Sequence, residues 1–538
     1  MAVTDSLLPV LAVLLPALAV PLIYATGSRP NLRETWTMLA ALGTFAVVAV
    51  MVRSGETLVT PLGSFAGFEL GLRADSAGLL FALLASTLWI ATSLYSVGYM
   101  RGLDEHDQTR YFAAFAASIA ATMGVALSAD LLTLFVFYEL LTLATYPLVA
   151  HAGDEEARSA GRQYLGYTLG GGVLALGGIL LVQVAASSVA FVPGGIGALA
   201  VADPTLGRVA FALLVAGFGV KAAVIPFHTW LPTAMVAPTP VSGLLHAVAV
   251  VKSGAFAVTR SVLYVFGPET AEALGTALPL AIFAAATMIL AGVVGLRQDN
   301  LKRGLAFSTI SQLSYIVLGV ALLTPVAAFG ALLHVVAHAF MKITLFFAAG
   351  LIYVETGEKY VSDLAGVGRR LPLTMAAFAV AAAGLIGFPL VAGFVSKFHL
   401  LVGAAESASP VFVGAFLVAG LLKLLYFWPI VYVAFFGGDG GPASRHAFAP
   451  PHAGGHAAND AAPTTHGSTD GGVDNAGGGL AGDASAFAPT THRWGLEASP
   501  FVLGPILFTV GVAVLLGLLP TAFPFWDLAQ AAVTEVFG

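Results

Sequence analysis

Residues 220–254 decide the fold class, and they read VKAAVIPFHTWLPTAMVAPTPVSGLLHAVAVVKSG. Most of these residues are apolar, yet Lys221, His246 and Lys252 lie among them together with four prolines. An ionisable side chain at membrane depth is costly unless it faces the interior of a helix bundle or a water-filled cavity. Proline interrupts the helical ladder, and the freed carbonyls need protein or water around them. The stretch therefore predicts an interrupted membrane helix whose ionisable groups serve a function.

The composition of the whole chain agrees with a membrane location. Of its 538 residues, 58% are hydrophobic and 10% are charged, and the mean hydropathy is +0.90. A soluble domain is about 25% charged. We expect an all-α polytopic membrane protein with about fourteen spans of roughly 20 apolar residues each. The predicted spans cover residues 6–24, 35–52, 74–99, 111–127, 130–150, 163–187, 206–226, 238–265, 273–296, 304–322, 325–354, 372–400, 408–436 and 499–519.

Basic residues predict the orientation. With the N-terminus outside, fourteen Lys and Arg residues fall in inside loops, and the outside loops hold only Arg53, Arg73, Arg208 and Arg260. This bias predicts that both termini lie outside. We expect a multi-pass protein of the prokaryotic plasma membrane. The first span has no basic segment before it and no cleavage site after it, so we expect it to be retained. Cysteine is absent, which excludes disulfides, thiolate metal sites and iron–sulfur clusters.

The chain divides into five regions. We expect helices 1–3 with an outer-face hairpin at 53–73 in residues 1–110, a first repeat of helices 4–8 in 111–265, and a second repeat of helices 9–13 in 266–436. Residues 437–497 are rich in Gly, Ala, Asp and His and predict a flexible inside loop, and 498–538 hold helix 14 and the C-terminus. Five histidines of the loop leave a metal site as the alternative, although their spacing fits no metal-site template.

A second interrupted helix is predicted at residues 384–397, GLIGFPLVAGFVSK. Either interruption alone is explained by an ordinary proline kink. Two of them, each close to a lysine within a span, favour a transport pathway, because paired broken helices mark the pathway in transporters built from inverted repeats.

Ionisable groups form a series through the predicted spans. Glu139 is the only acid deep within a span, and Lys221 is its natural counter-charge. His246 and Lys252 are six residues apart and therefore lie on different faces of a continuous helix, whereas the next group recurs every four residues along one stripe. A lone buried histidine is more often a packing residue, but two histidines and a lysine in line indicate a relay. We expect a proton relay formed by Glu139, Lys221, His246, Lys252, His334, His338, Lys342 and Lys397.

The sequence leaves the roles of two further lysines open. Lys423 either joins the relay, extends to the membrane surface or pairs with a neighbouring protein of the same complex. Lys302 either reaches into the bundle or marks the inner interface. The run Gly170–Gly172 predicts close helix packing rather than binding. No catalytic or nucleotide-binding motif is present, so we expect no enzyme activity, cofactor, resident metal or nucleic-acid partner.

Three stretches resemble a known family: residues 220–254, DNLKRGLAFSTISQLSY at 299–315 and LLHVVAHAFMKITLFFAAG at 332–350. They are similar to the proton-conducting antiporter-like subunits of Mrp-type Na+/H+ antiporters and of respiratory complex I, and the resemblance covers nearly all of the chain. It implies fourteen helices, two inverted five-helix repeats, broken helices 7 and 12 and both termini outside. It also implies that the predicted relay residues occupy the family's proton-conducting positions.

The resemblance favours one type of subunit. A lysine at position 397 argues against the M-type subunit of complex I, and the chain ends soon after helix 14, without the lateral helix of the L-type. The stretches around Glu139 and Lys397 look most like the D-type protein of Mrp complexes, whereas the insert at 437–497 departs from the family pattern. The resemblance thus implies a subunit of a multi-subunit Na+/H+ antiporter that moves protons, with Na+ moving, if at all, through partner subunits. The alternative is a proton-pumping subunit of complex I or a related redox-driven membrane complex.

Overall fold

The computed structural model describes residues 3–437 and 497–538. These residues form helices and one small sheet, which confirms the predicted all-α membrane fold class. The helices are α1 (Leu8–Ala25), α2 (Pro30–Ser54), α3 (Ser76–Gly102), α4 (Gln108–Ala126), α5 (Leu131–Val149), α6 (Glu155–Ala186), α7 (Gly197–Ala200), α8 (Pro204–Lys221), α9 (Trp230–Thr233), α10 (Thr239–Ala247), α11 (Val250–Arg260), α12 (Gly267–Ala273), α13 (Ala277–Gly295), α14 (Leu301–Ala321), α15 (Pro325–Thr356), α16 (Val367–Arg370), α17 (Pro372–Ile386), α18 (Ala392–Glu406), α19 (Phe412–Phe436), α20 (Pro500–Leu518) and α21 (Pro524–Phe537). A π-helical turn, Ser261–Phe266, joins α11 to α12.

Twelve helical segments in the described residues are long and apolar enough to cross a membrane. Each of them coincides with a predicted span. The other two predicted spans fall on α4 and on the pair α17–α18, of which α17 is a shorter apolar helix. The count of fourteen therefore stays a prediction for these two places.

The sheet lies where the sequence predicted a hairpin. Its strands β2 (Thr57–Phe65) and β3 (Phe68–Ala74) pair antiparallel, and β1 (Val3–Asp5), which was not predicted, adds to β2 in parallel. The hairpin is tied to α5 because Gly71 N donates to Asp130 Oδ2 at 3.3 Å, while Asp130 Oδ1 accepts from Thr133 N at 2.7 Å and caps that helix.

Both predicted helix interruptions are present. Regular helix ends at Lys221 in α8 and resumes only at Trp230, and α17 is separated from α18 by residues 387–391. Gly387 ends α17 with φ of 106°, a backbone conformation that glycine adopts without strain. A third interruption was not predicted: residues 248–249 separate α10 from α11.

The most deeply buried helices carry most of the ionisable residues. In α14, α15 and the α10–α12 segment, the stretch that is long enough to cross a membrane is entirely buried. In α1, α2, α6 and α19, less than half of that stretch is buried. The 32-residue α15 packs against α3, α10, α14, α17, α18, α20 and α21 and forms the centre of the bundle. In the first half of the chain α4 packs on α5 and α6 packs on α8, and in the second half α13 packs on α14 and α15 packs on α18. These matching contacts suit two repeats, and their inverted relation stays a prediction.

The structure corrects the predicted position of Arg260 and leaves the predicted flexible loop untested. Arg260 does not lie in an outside loop: it is fully buried at the end of α11 and donates to both carboxylate oxygens of Asp75, at 2.8 and 2.5 Å. The cause is the counter-charge of Asp75, which directly precedes α3 and which the local sequence around Arg260 does not reveal. The predicted flexible loop, with its histidines, lies outside the described residues except at its ends. The division into five regions stays a prediction.

Candidate functional site

The predicted relay residues lie on α5, α8, α10, α11, α15 and α18, most of them at the buried centre of the bundle. Glu139 is half-buried and Lys397 is 7% exposed, whereas the remaining six are fully buried: Lys221, His246, Lys252, His334, His338 and Lys342.

The first lysine is held at the end of α8. Lys221 Nζ donates to the backbone carbonyl of Tyr138 on α5 and lies 3.3 Å from the centroid of the Tyr138 ring. Glu139 follows Tyr138 directly, but its carboxylate oxygens have no hydrogen-bond partner among the described residues, and no direct ion pair joins it to Lys221 there. The predicted pair is therefore close through Tyr138, without a direct contact of its charged atoms.

Three glycines of α6 meet different surroundings. A Cβ on Gly172 would lie 2.6 Å from Glu139 Oε1, whereas a Cβ on Gly171 would lie 2.8 Å from the carbonyl oxygen of Gly217 on α8. A Cβ on Gly170 would meet nothing within 4 Å. The predicted close packing is thus confirmed for Gly171 and Gly172, and Gly172 leaves the room that the Glu139 carboxylate occupies.

The centre of the site is a direct contact between the two halves of the chain. Lys252 Nζ on α11 lies 2.7 Å from His338 Nδ1 on α15, and both side chains are fully buried. An ammonium group can donate to this nitrogen, and a neutral amine can accept from it. The contact can therefore hold a proton on either side. His338 Nε2 has no hydrogen-bond partner among the described residues.

His334 connects α15 to α14 and α18. Its ring centroid lies 6.2 Å from that of His338. Its Nε2 lies 2.7 Å from Gln312 Oε1, and its Nδ1 lies 2.9 Å from Ser396 Oγ. Because Oε1 only accepts, Nε2 carries the hydrogen and Nδ1 is the acceptor. Ser396 belongs to α18, so the contact joins α15 to the helix that follows the second interruption.

The interruption between α17 and α18 provides oxygen acceptors for Lys397. Its Nζ donates to the carbonyl of Leu385 and, at 3.2 Å, to that of Ile386. These carbonyls belong to the last turn of α17, where the helix end favours a positive charge. The ammonium group also lies 4.8 Å from the centroid of the Tyr315 ring.

Lys423 faces the interior, so it neither extends to the membrane surface nor is free to pair with a neighbouring protein, and its membership in the relay stays open. Its side chain is 2% exposed, its Nζ donates to Ser311 Oγ at 2.7 Å, and it lies 4.8 Å from the Tyr315 ring, like Lys397 on the same ring. Lys302 is half-buried and donates to the carbonyl of Ala237 at 2.5 Å. It therefore reaches into the bundle beside the first interrupted helix.

Two predicted residues lie off this line of contacts. Lys342 donates to Ser308 Oγ and to the carbonyl of Leu305 on α14, not to His338 or Lys397. Four residues advance an α-helix by about 40°, so the predicted stripe on α15 fans out over about 80° between its first and last member. The His246 and Phe346 rings lie 4.8 Å apart between centroids and are tilted by 43° to each other, and neither nitrogen of His246 has a hydrogen-bond partner in the described part of the chain. The expected angle between His246 and Lys252 does not apply, because the helix is interrupted between them.

Sequence reasoning missed the polar face of α14. Ser308, Ser311, Gln312 and Tyr315 bond or face the lysines and His334, and they are spaced i, i+3, i+4 and i+7. This spacing places them on one face of a helix. The stretch FSTISQLSY shows the pattern and was quoted for its resemblance alone.

Comparison with known proteins assigns the class. The fold and the buried lysines define a polytopic membrane protein with ionisable groups across its interior. Residues 128–423, more than half of the chain, match the family described as NADH:quinone oxidoreductase/Mrp antiporter, TM. The chain belongs to this family and is an antiporter-like membrane subunit of the Mrp or complex I type.

Individual relatives carry both types of name. NADH-quinone oxidoreductase subunit N of Desulforudis audaxviator (strain MP104C) is 34% identical over 466 residues, which are 81% of this chain and 88% of the relative. The A/B protein of a probable K(+)/H(+) antiporter from Rhizobium meliloti (strain 1021) is 32% identical over 72% of this chain, which spans only 38% of that protein. A chain of the Mrp complex from Dietzia sp. DQ12-45-1b matches with a TM-score of 0.79 at 23% identity, over 99% of this chain and 97% of the other, and shows the shared fold.

Proposed function

We propose that the chain is the proton-translocating subunit of a multi-subunit monovalent cation (Na+)/proton antiporter, corresponding to the D-type protein of Mrp complexes. The observation that carries this proposal is the buried contact between Lys252 Nζ and His338 Nδ1, which joins the two halves of the chain at 2.7 Å. Two groups that exchange a proton must lie within hydrogen-bond reach of each other. The antiporter names of relatives and the fold of an Mrp chain support the assignment.

The proposed proton path joins the relay groups in order, through the direct contact of Lys252 with His338 and across gaps elsewhere. It begins at Glu139, passes the Lys221 ammonium beside Tyr138, and crosses from Lys252 to His338. His334 then receives the proton on α15, where it contacts Ser396 of α18, and Lys397 at the second interruption is the last member of the path. Where successive groups are not in contact, as between the two histidine rings, water molecules bridge them.

The transported cation takes a different route. Glu139 is the one carboxylate beside the lysine series in the described residues, and Na+ requires several oxygen ligands. A neighbouring ammonium group would repel the ion. We therefore place the cation pathway at surfaces that partner subunits supply, in a plasma-membrane complex in which both termini of this chain lie outside. Sodium flux through the chain alone would contradict this placement.

A second candidate function is proton pumping in a redox-driven complex. It is favoured by the relative named NADH-quinone oxidoreductase subunit N, which is 34% identical. The two functions share the relay and differ in the source of energy. Purification of the chain with its native partners separates them, because small antiporter subunits support the first function and quinone-linked redox subunits support the second.

Substitution of the central lysine tests the proton path. Lys252→Met keeps the apolar stem and removes the ammonium group, and we expect proton antiport in everted membrane vesicles to fall by about 100-fold, the smallest usual effect of losing a proton-transfer group. The matched control is Lys359→Met, because Lys359 is exposed and lies outside the series. Antiport by Lys252→Met at the rate of the control, with equal amounts of protein in the membrane, would refute the proposed path.

A further inference from the structure

A cluster of potential metal ligands lies at one end of the bundle, apart from the lysine series. Glu105 and His106 belong to the turn between α3 and α4, and His151 belongs to the turn between α5 and α6. One ligand atom of each residue lies within 4.8 Å of the others. On the predicted orientation these turns face the inside of the cell.

His151 is the residue that needs an explanation. Its side chain is 1% exposed, yet neither Nδ1 nor Nε2 has a hydrogen-bond partner among the described residues. Leaving a buried polar atom unpaired costs about 1–3 kcal/mol. In native proteins an unpaired buried group of this kind calls for a ligand, an ordered water or an ion.

His106 is held in the tautomer that a metal ligand requires. Its Nε2 lies 3.1 Å from the backbone carbonyl of His151, and because a carbonyl oxygen only accepts, Nε2 carries the hydrogen. The lone pair of Nδ1 is then free, 3.9 Å from Glu105 Oε2. A histidine that binds a metal through one nitrogen usually donates its other N–H to a carbonyl or carboxylate in this way.

We propose that Glu105, His106 and His151 form a binding site for a divalent transition-metal ion, with Zn2+ the best fit. Two imidazoles and one carboxylate are donors that suit Zn2+ rather than Mg2+ or Ca2+, and three protein ligands leave one tetrahedral position for water. Ligand atoms about 2.0–2.2 Å from zinc lie about 3.3 Å from one another, so the cluster closes by about 1.5 Å at most when the ion binds. Glu105 and His106 belong to a turn, which can make this movement.

The charges around the cluster are compatible with a cation. Arg110 donates to the carbonyl of His151 at 3.1 Å, but it also pairs with Asp107 at 3.1 Å, so its charge is partly balanced. Lys302 places a second positive charge near Glu105. The Glu105 carboxylate offsets one charge of the bound ion. The site would act as a structural link between two turns. Glu139 precedes His151 by twelve residues, which is about 18 Å along a helix, so the bound ion does not touch the proton path.

Zinc binding by the purified full-length chain tests the site. The five histidines of the insert, His446, His452, His456, His466 and His492, are replaced by Asn in every variant, so that they contribute no binding. We expect one Zn2+ per chain, an X-ray absorption spectrum with nitrogen and oxygen ligands at about 2.0–2.1 Å, and a rise in melting temperature on adding Zn2+. His151→Asn should weaken binding by at least about 100-fold, and the control His399→Asn, on α18 away from the cluster, should leave it unchanged.

A second variant guards against a folding defect. His106 is exposed and contacts the buried His151 by its ring face, so His106→Asn removes one ligand and disturbs the packing less than His151→Asn does. Weakened binding in this variant, with an unchanged melting temperature in the absence of zinc, supports the site. Absence of stoichiometric zinc binding in the chain without the insert histidines, or binding by His106→Asn as tight as that of the His399 control, would overturn the proposal.

Discussion

Three adjacent glycines of α6, Gly170, Gly171 and Gly172, have different surroundings. Alanine substitutions at these positions can therefore distinguish an effect on packing from an effect on transport. Gly172→Ala places a Cβ 2.6 Å from Glu139 Oε1, which is about 0.8 Å short of the 3.4 Å at which ordinary contacts begin. The Glu139 carboxylate is the far end of a flexible side chain and has no hydrogen bond among the described residues. We therefore expect the carboxylate to move while α6 stays in place, so that the protein folds normally.

The expected loss of transport follows from that displacement. Misplacing a reacting group by 1 Å can cost about 100-fold in rate, so a shift of about 0.8 Å predicts a loss of roughly tenfold to hundredfold. The assay is cation-dependent collapse of a proton gradient in everted vesicles, normalised to the amount of folded protein. Gly170→Ala is the matched control, since its Cβ meets open space and antiport should be unchanged.

Gly171→Ala has a different expected effect. Its Cβ would lie 2.8 Å from the backbone oxygen of Gly217, which cannot rotate away. Overpacking of this kind costs about 1–3 kcal/mol, so the melting temperature in detergent should fall. Equal antiport by the Gly172→Ala and Gly170→Ala variants would refute the role given to the position of the Glu139 carboxylate.

Two further substitutions follow from the contacts. Arg260→Ala leaves Asp75 buried without its cation and should lower stability by about 3–5 kcal/mol. Arg260→Met with Asp75→Asn should recover most of it, because Asn keeps an oxygen that accepts from Gly78 N and caps α3; equal melting temperatures of the two variants in detergent would contradict this. Lys397 and Lys423 both face the Tyr315 ring at 4.8 Å. Tyr315→Leu removes this ring and should slow antiport in vesicles about tenfold, whereas Tyr315→Phe keeps the ring and should give near-normal antiport. An equal defect in both Tyr315 variants would mean that the hydroxyl, not the ring, is required.

The sequence was sufficient for features that depend on local pattern. Long apolar runs predicted the helices, and proline amid glycine or polar residues predicted the interruptions after Lys221 and Ile386. The lysines were visible because a charge within an apolar run is conspicuous. Their membership in a functional series stays a prediction, which the substitution of Lys252 tests.

The contacts themselves could not be predicted, because they join distant helices. Lys423 lies in an apolar run that suits a membrane-facing lysine, and only the partners Ser311 and Tyr315 on α14 show that it faces inward. The same reason applies to Arg260, whose counter-charge lies 185 residues away in sequence. The cluster at His106 and His151 gave no sequence signal, because its members are separated by two helices and fit no ligand spacing.

On the proposed proton path, the gap between the two histidines of α15 is the place where we expect transport to be controlled. His338 contacts Lys252 of the first half, and His334 contacts Ser396 of the second, but their ring centroids are 6.2 Å apart. The unpaired Nε2 of His338 needs an acceptor or a donor, which a water molecule between the rings would supply. A proton held on Lys252 can then advance only when that water is present or the His338 ring rotates. Because both rings belong to one continuous helix, a small rotation of α15 relative to α11 and α18 would change both contacts together.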